Sequence, residues 1–173
     1  MAAGRRGTLA REDTSVDEIR FDDIERLKTK ITDNFGGWSE PVEVTQDMID
    51  RFADLTGDHQ WIHVDVERAR RESPFKSTIA HGFLVLSLLP VLRAVAEYKI
   101  VGFGNATNYG ADKLRFASPV PAGAVVHARS RLVAADAKPK GTQVTQEIAV
   151  HVVGNDRPAI LYTMLVLYQP PVR

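Results

Sequence analysis

The stretch that decides how this chain folds runs from Phe52 to Leu89, FADLTGDHQWIHVDVERARRESPFKSTIAHGFLVLSLL. It holds three of the five histidines, His59, His63 and His81. Its last part opens with His81-Gly82 and then turns apolar at Phe83, Leu84, Val85, Leu86, Leu88 and Leu89. A helix that is apolar on every side belongs inside a protein. The pattern predicts such a helix from about Gly82 to Tyr98, amphipathic in its second half around Arg93 and Glu97, with Pro90 as a kink or boundary.

Outward from that helix, toward the C-terminus, the period changes to two. Val126, Ala128, Ser130, Leu132 and Ala134 alternate with His127, Arg129 and Arg131; Val144, Ile148, Val150 and Val152 form a second series. Alternation of this kind marks half-buried antiparallel strands. Lys138-Pro139-Lys140-Gly141 and Gly154-Asn155-Asp156-Arg157-Pro158 are the turns between them. An earlier strand is expected at about Asn105–Phe116. A last one, Ala159–Tyr168, is apolar on both faces and so should be central or covered by another subunit. Toward the N-terminus, a helix is expected from about Thr14 through Ile19, Ile24, Leu27 and Ile31, closed by Asn34-Phe35-Gly36-Gly37. A short strand at Val42–Val44 follows. Thr45 then caps a helix that stops at Thr56-Gly57, and Asp65 caps another that Ser73-Pro74 breaks. Residues 1–15 read as a disordered leader and residues 16–173 as one domain. The expected class is α+β, an antiparallel sheet wrapped around a long buried helix.

Composition narrows the function. The chain has 173 residues, 44% hydrophobic and 25% charged, with 22 basic and 22 acidic residues. Nucleic-acid binding would leave a basic excess, and there is none. With no cysteine, disulfides, thiolate metal sites and cysteine nucleophiles are excluded. The longest apolar stretch, Ile79–Leu92, is broken by His81, Gly82, Ser87 and Pro90 and is too short to span a bilayer. The expected setting is the cytoplasm.

Asp58 and His63 can converge only if the chain between them is irregular, because neither helix nor strand brings positions at that spacing onto one face. Gly57 supports a turn there. A carboxylate and an imidazole facing one small space suit general acid/base work on water. The bland alternative, a turn-capping Asp58 and a structural His63, is the commoner outcome of such spacing. His59 and His63 also form an H-x-x-x-H pair, but H-E-x-x-H is absent and the first half lies in a turn, so no metal is expected. His81-Gly82 stands where the apolar helix begins. There, free N–H groups suit an oxyanion and glycine admits a carbonyl close to the backbone; a plain helix start with a packed histidine fits equally well. No serine elbow or phosphate loop is present.

TGDHQWIH, then IAHGF at the head of the apolar helix, then RFASPVPAG together resemble the MaoC-like dehydratases, (R)-specific enoyl-CoA hydratases of the hot-dog fold. GDHQWIHVD looks like the nodulation-protein-N-like branch. The similarity runs from about Trp38 to Tyr168. The family's usual pattern is Gly-Asp-x-Asn-Pro-(Ile/Leu)-His; here Gln60 replaces the asparagine and Trp61 the proline. The resemblance implies that Asp58 and His63 hold and activate a water. It implies that Gly82 N–H is the oxyanion donor and that His81, Gln60 and Trp61 belong to the substrate-binding wall. Pro90 stands where some relatives carry a serine and gets no role. The resemblance also implies a homodimer with sheets joined edge to edge, Asn108-Tyr109 and the last strand near the core or interface, and no metal or redox cofactor. Coenzyme A or acyl carrier protein enters as part of an acyl-thioester substrate. A hot-dog thioesterase and a non-catalytic dimeric acyl-binding domain are the competing readings.

Overall fold

Every long strand expected after residue 104 forms, and together they build the surface on which the rest rests. A computed structural model of the chain describes residues 16–95 and 97–172; the expected leader, residues 1–15, lies outside them. The elements in order are β1 (Asp17–Arg20), α1 (Ile24–Lys28), β2 (Val42–Val44), α2 (Gln46–Thr56), α3 (Trp61–Val64), α4 (Val66–Glu72), α5 (Gly82–Ser87), β3 (Tyr98–Val101), β4 (Asn105–Phe116), β5 (Ala124–Lys138), β6 (Gly141–Val152) and β7 (Ile160–Gln169). Five strands form one antiparallel sheet in the order β2-β5-β6-β7-β4. It curls around the helices on one face, as the hot-dog fold requires. No helix is long and apolar enough to cross a membrane among the described residues.

Alternation on the strands decides what is buried. Val126 and Ala128 of β5, Ile148 and Val150 of β6 and Ile160 of β7 share one cluster with Leu84 and Val85 of α5 and Ile49 of α2. Burying an aliphatic side chain of this size contributes about 1.5–3 kcal/mol. The caps follow the sequence: Thr45 accepts from Met48 N, Gly57 ends α2 in the left-handed region at φ 79°, and Asp65 accepts from Arg68 N.

Two expectations fail, both through local signals outcompeted by tertiary ones. The stretch from Thr14 to Ile31 is not one helix. Asp17–Arg20 pairs in parallel with Tyr98–Val101, which buries Ile19 beside Leu27 and Ala135 in a second small cluster. Only Ile24–Lys28 is helical, capped by Asp23. The buried helix is also shorter than expected: α5 ends at Ser87, turns follow before Pro90 supplies its missing N–H, and Tyr98 already belongs to β3. The last strand, β7, is interior to the sheet, with β6 on one side and β4 on the other. Asn108 and Tyr109 are exposed on the edge strand β4, at a register shift.

Two leucine-sized residues of α2 test where its weight lies. Ile49 is fully buried and Leu55 is 82% exposed. Ile49→Ala is expected to cost about 2–5 kcal/mol in urea unfolding, and Leu55→Ala no more than about 0.5 kcal/mol.

Candidate active site

The site is assembled from two segments that neither helix nor strand could hold. After Gly57 the chain runs irregularly through Asp58, His59 and Gln60. It then makes the single turn α3, with Gln60 at its N-cap. His63 sits on the inner side of that turn, 7% exposed. The second segment, Thr78–His81, runs beside Val120–Ala122: Ala80 N donates to Val120 O at 2.8 Å and Ala122 N to Thr78 O at 3.0 Å. One oxygen or nitrogen from each of Asp58, His63 and His81 falls within 4.8 Å of the others.

Hydrogen bonds fix which atoms are free. His63 Nδ1–H donates to Ile79 O at 2.6 Å. A carbonyl only accepts, so neutral His63 carries its proton on Nδ1 and a lone pair on Nε2. Gln46 Nε2 donates to His63 O at 2.8 Å, while Thr78 Oγ1 donates to Gln46 Oε1 at 2.5 Å. His81 Nε2–H donates to Asp58 O at 2.9 Å, and the same nitrogen is 4.0 Å from Asp58 Oδ2. The rings of His63 and His81 stack, centroids 3.8 Å apart and 25° between planes. Asp58 keeps its carboxylate exposed, with Gln60 N donating weakly to Oδ1 at 3.4 Å. A carboxylate oxygen of Asp58 and a ring nitrogen of His63 thus lie within 4.8 Å of each other, a separation that one water can bridge.

The same trio has the residue types of a metal site, but not the arrangement. A tetrahedral ion needs lone pairs that converge. Stacked rings keep theirs in two nearly parallel planes, and the Nε2 of His81 carries a proton committed to Asp58 O.

Beside His63 lies a cleft of about 420 Å³, lined by Ile79, Gly82, Phe83, Phe116 and Ile160 among others. Asp58, which is exposed, is not in its lining. A Cβ on Gly82 would come within 2.6–2.9 Å of the Phe116 ring, so only glycine lets that ring sit against the backbone. No acceptor faces the Gly82 N–H among the described residues. With α5 only six residues long, this single free N–H, rather than a helix dipole, is what the site offers an oxyanion.

Not every expected residue reaches the cleft. Gln60 is exposed and contributes its backbone, accepting from His63 N at 2.9 Å. The Trp61 ring lies under the Arg68 guanidinium, 4.3 Å away, and does not line the cleft. His81 lies behind His63 and is likewise absent from the lining. His59 pairs with Asp54 on the surface at 2.9 Å; that hydrogen bond holds its pKa above the ordinary value. Gln46 and Thr78 carry no sequence signal for a role here, because their bond joins positions 32 residues apart.

Known proteins match on both sequence and fold. A MaoC like domain profile fits residues 32–154. 3-hydroxyacyl-thioester dehydratase Z of Mycobacterium tuberculosis is 47% identical over 133 residues, spanning 76% of this chain and 87% of that protein. Nodulation protein N of Rhizobium leguminosarum bv. viciae is 43% identical over 136 residues, 77% of this chain and 83% of that one. Among solved structures, the unliganded R-hydratase PhaJ1 of Pseudomonas aeruginosa superposes with a TM-score of 0.61. It covers 79% of this chain and 83% of its own at 21% identity, a likeness of fold alone. A match over most of the chain and a relative at this identity leave one conclusion: the protein belongs to the MaoC-like dehydratase family.

Proposed function

We propose that the chain is an (R)-specific enoyl-CoA hydratase, equivalently a 3-hydroxyacyl-thioester dehydratase, in which residues 16–173 act as one domain. The observation that carries this reading is the meeting of the Asp58 carboxylate with His63, whose tautomer Ile79 O fixes, beside an apolar cleft. Water held between the carboxylate and His63 Nε2 gives up a proton to this pair as its oxygen bonds to C3 of the enoyl thioester. The C2–C3 π electrons move to the thioester oxygen, where Gly82 N–H stabilises the negative charge. The enolate then collapses, and C2 takes the proton back from the pair. Addition and elimination of water share this path and are redox-neutral, so the reaction itself calls for no electron carrier. Coenzyme A or acyl carrier protein is part of the substrate.

We also propose a homodimer. One long edge of the sheet is already covered. The segment 31–44 runs along β5, with Gly36 N donating to Ser130 O, Ser39 N to Ala128 O, and Trp38 stacked on His127 at 3.7 Å. The other edge, β4, is exposed over almost all of Asn105–Phe116. A long open edge invites a second strand, and a second copy of β4 would supply it.

Three outcomes are expected. Asp58→Asn and His63→Gln each lower the rate at which crotonyl-CoA loses its enoyl absorbance by about 10²–10⁴-fold; release of free thiol at a comparable rate by the wild type would instead mark a thioesterase. Gly82→Ala displaces the Phe116 ring, destabilises the fold by about 1–3 kcal/mol in thermal or urea unfolding, and lowers kcat/KM at least about tenfold through the misplaced donor. Sedimentation equilibrium yields about twice the chain mass of 19.2 kDa; a monomer would remove the edge-pairing argument.

A further inference from the structure

Resting on the hydratase reading above, the geometry points to His81 as a positioning residue, which acts through Asp58 and His63 and does not touch substrate. Its neighbours in sequence, Ala80 and Gly82, line the cleft, but His81 does not. The ring is 4% exposed and packs between Phe52, at 5.1 Å, and His63, at 3.8 Å. Its Nδ1 is buried and has no protein partner among the described residues. Two things are left for the ring to offer, a donor and a flat face, and both are spent on the catalytic pair.

The donor holds Asp58. Gly57 in the left-handed region frees the chain from α2, and Asp58 N reaches only Thr56 Oγ1 at 3.4 Å. The bond from His81 Nε2–H to Asp58 O, at 2.9 Å, ties this exposed turn to the buried segment and sets the direction of the carboxylate. The face holds His63. A ring hydrogen-bonded at one nitrogen can still swing about that bond. A second ring lying 3.8 Å away, 25° from parallel, blocks the swing and holds the imidazole in place beside Asp58. Histidine is the residue that combines a flat face with an N–H at that edge. Phenylalanine would keep the face, and glutamine, whose Nε2 lies at a similar reach, would keep the donor.

The two variants therefore separate the functions. His81→Phe and His81→Gln are each expected to lower kcat on crotonyl-CoA by roughly ten- to a hundredfold, the range for groups that hold a catalytic side chain in place, while KM stays unchanged. Circular dichroism and thermal unfolding check that both fold. Nitrogen NMR of the imidazoles provides a readout that needs no turnover. The wild type should show His63 as the Nδ1–H tautomer and His81 as the Nε2–H tautomer. In His81→Gln the His63 ring signals should shift and broaden as the ring swings, with the Nδ1–H tautomer kept by Ile79 O; in His81→Phe the Asp58 amide should shift while the His63 signals stay in place. A raised KM at constant kcat would make His81 a substrate contact and overturn the inference, as would wild-type kcat with unshifted His63 and Asp58 signals. A wild type that does not hydrate any enoyl thioester would sink the hydratase reading, and the NMR comparison would still decide the role of His81.

Discussion

The backbone of Ile79 is the hinge on which the site depends. Its carbonyl accepts from the His63 ring, and its N–H donates to Ile62 O at 3.0 Å. One residue therefore fixes both the path of α3 and the tautomer of the imidazole that α3 carries. Ile79 is itself held to the turn between β4 and β5, because the residues on either side of it are bonded to Val120 and Ala122, and that turn is bonded to β2 through Gly123 N and Val44 O. Thr78 closes the arrangement through Gln46, which reaches the carbonyl of His63. The position of the His63 imidazole thus follows from a chain of main-chain bonds that leads through the 120–123 turn to the curled sheet. Buried bonds of this kind are costly to leave half made, which is why such a site keeps its geometry although half of it is loop.

Much of this was legible in the sequence, for reasons particular to each residue. β5 and β6 announce themselves by alternation, β7 by a run apolar on both faces, and the turns between them by Lys138-Pro139-Lys140-Gly141 and Gly154-Asn155-Asp156. Thr45, Gly57 and Asp65 mark ends because capping is local chemistry. Asp58 and His63 were legible as a pair through the requirement for an irregular chain between them, and the resemblance gave that pair its role. What could not be read is what depends on distant partners. Ile19 and Leu27 fit a helical period as well as they fit a strand and a short helix, and only the pairing with Tyr98–Val101 decides. The apolar run after Gly82 says that the segment is buried, not that it stays helical. His81, Gln60 and Trp61 sit close in sequence to Asp58, His63 and Gly82, yet the directions of the His81 and Trp61 rings are set by the stack on His63 and by Arg68.

Charge plays little part in holding this molecule together. Most ion pairs, such as Arg51 with Asp47, Arg68 with Glu72 and Arg70 with Glu67, are exposed on helix surfaces, where each contributes a few tenths of a kcal/mol at most. Arg131 with Glu147 is the more sheltered pair and bridges β5 to β6 on the face away from the main cluster. The sequence balances 22 basic against 22 acidic residues, while the cleft beside His63 is walled by Ile79, Phe83, Phe116 and Ile160. An apolar wall of this kind suits a hydrocarbon tail and strengthens the few polar contacts at its rim.

The parallel pair β1–β3 has a kinetic consequence. It joins Asp17 to Tyr98, and β1 and α1 both lie before residue 32, where the match to the family begins. Closing so long a stretch of chain costs entropy that grows with the logarithm of its length, and Ile19 and Leu27 can offset that cost only on a surface that already exists, the buried side of β5 at Ala135. The order of events is thereby imposed: the sheet first, the N-terminal strand last. Contacts made that late are absent from the folding transition state, so weakening them speeds unfolding and leaves the folding rate nearly untouched. These residues act as a latch on the lifetime of the folded chain, at the end of the sheet away from the chemistry.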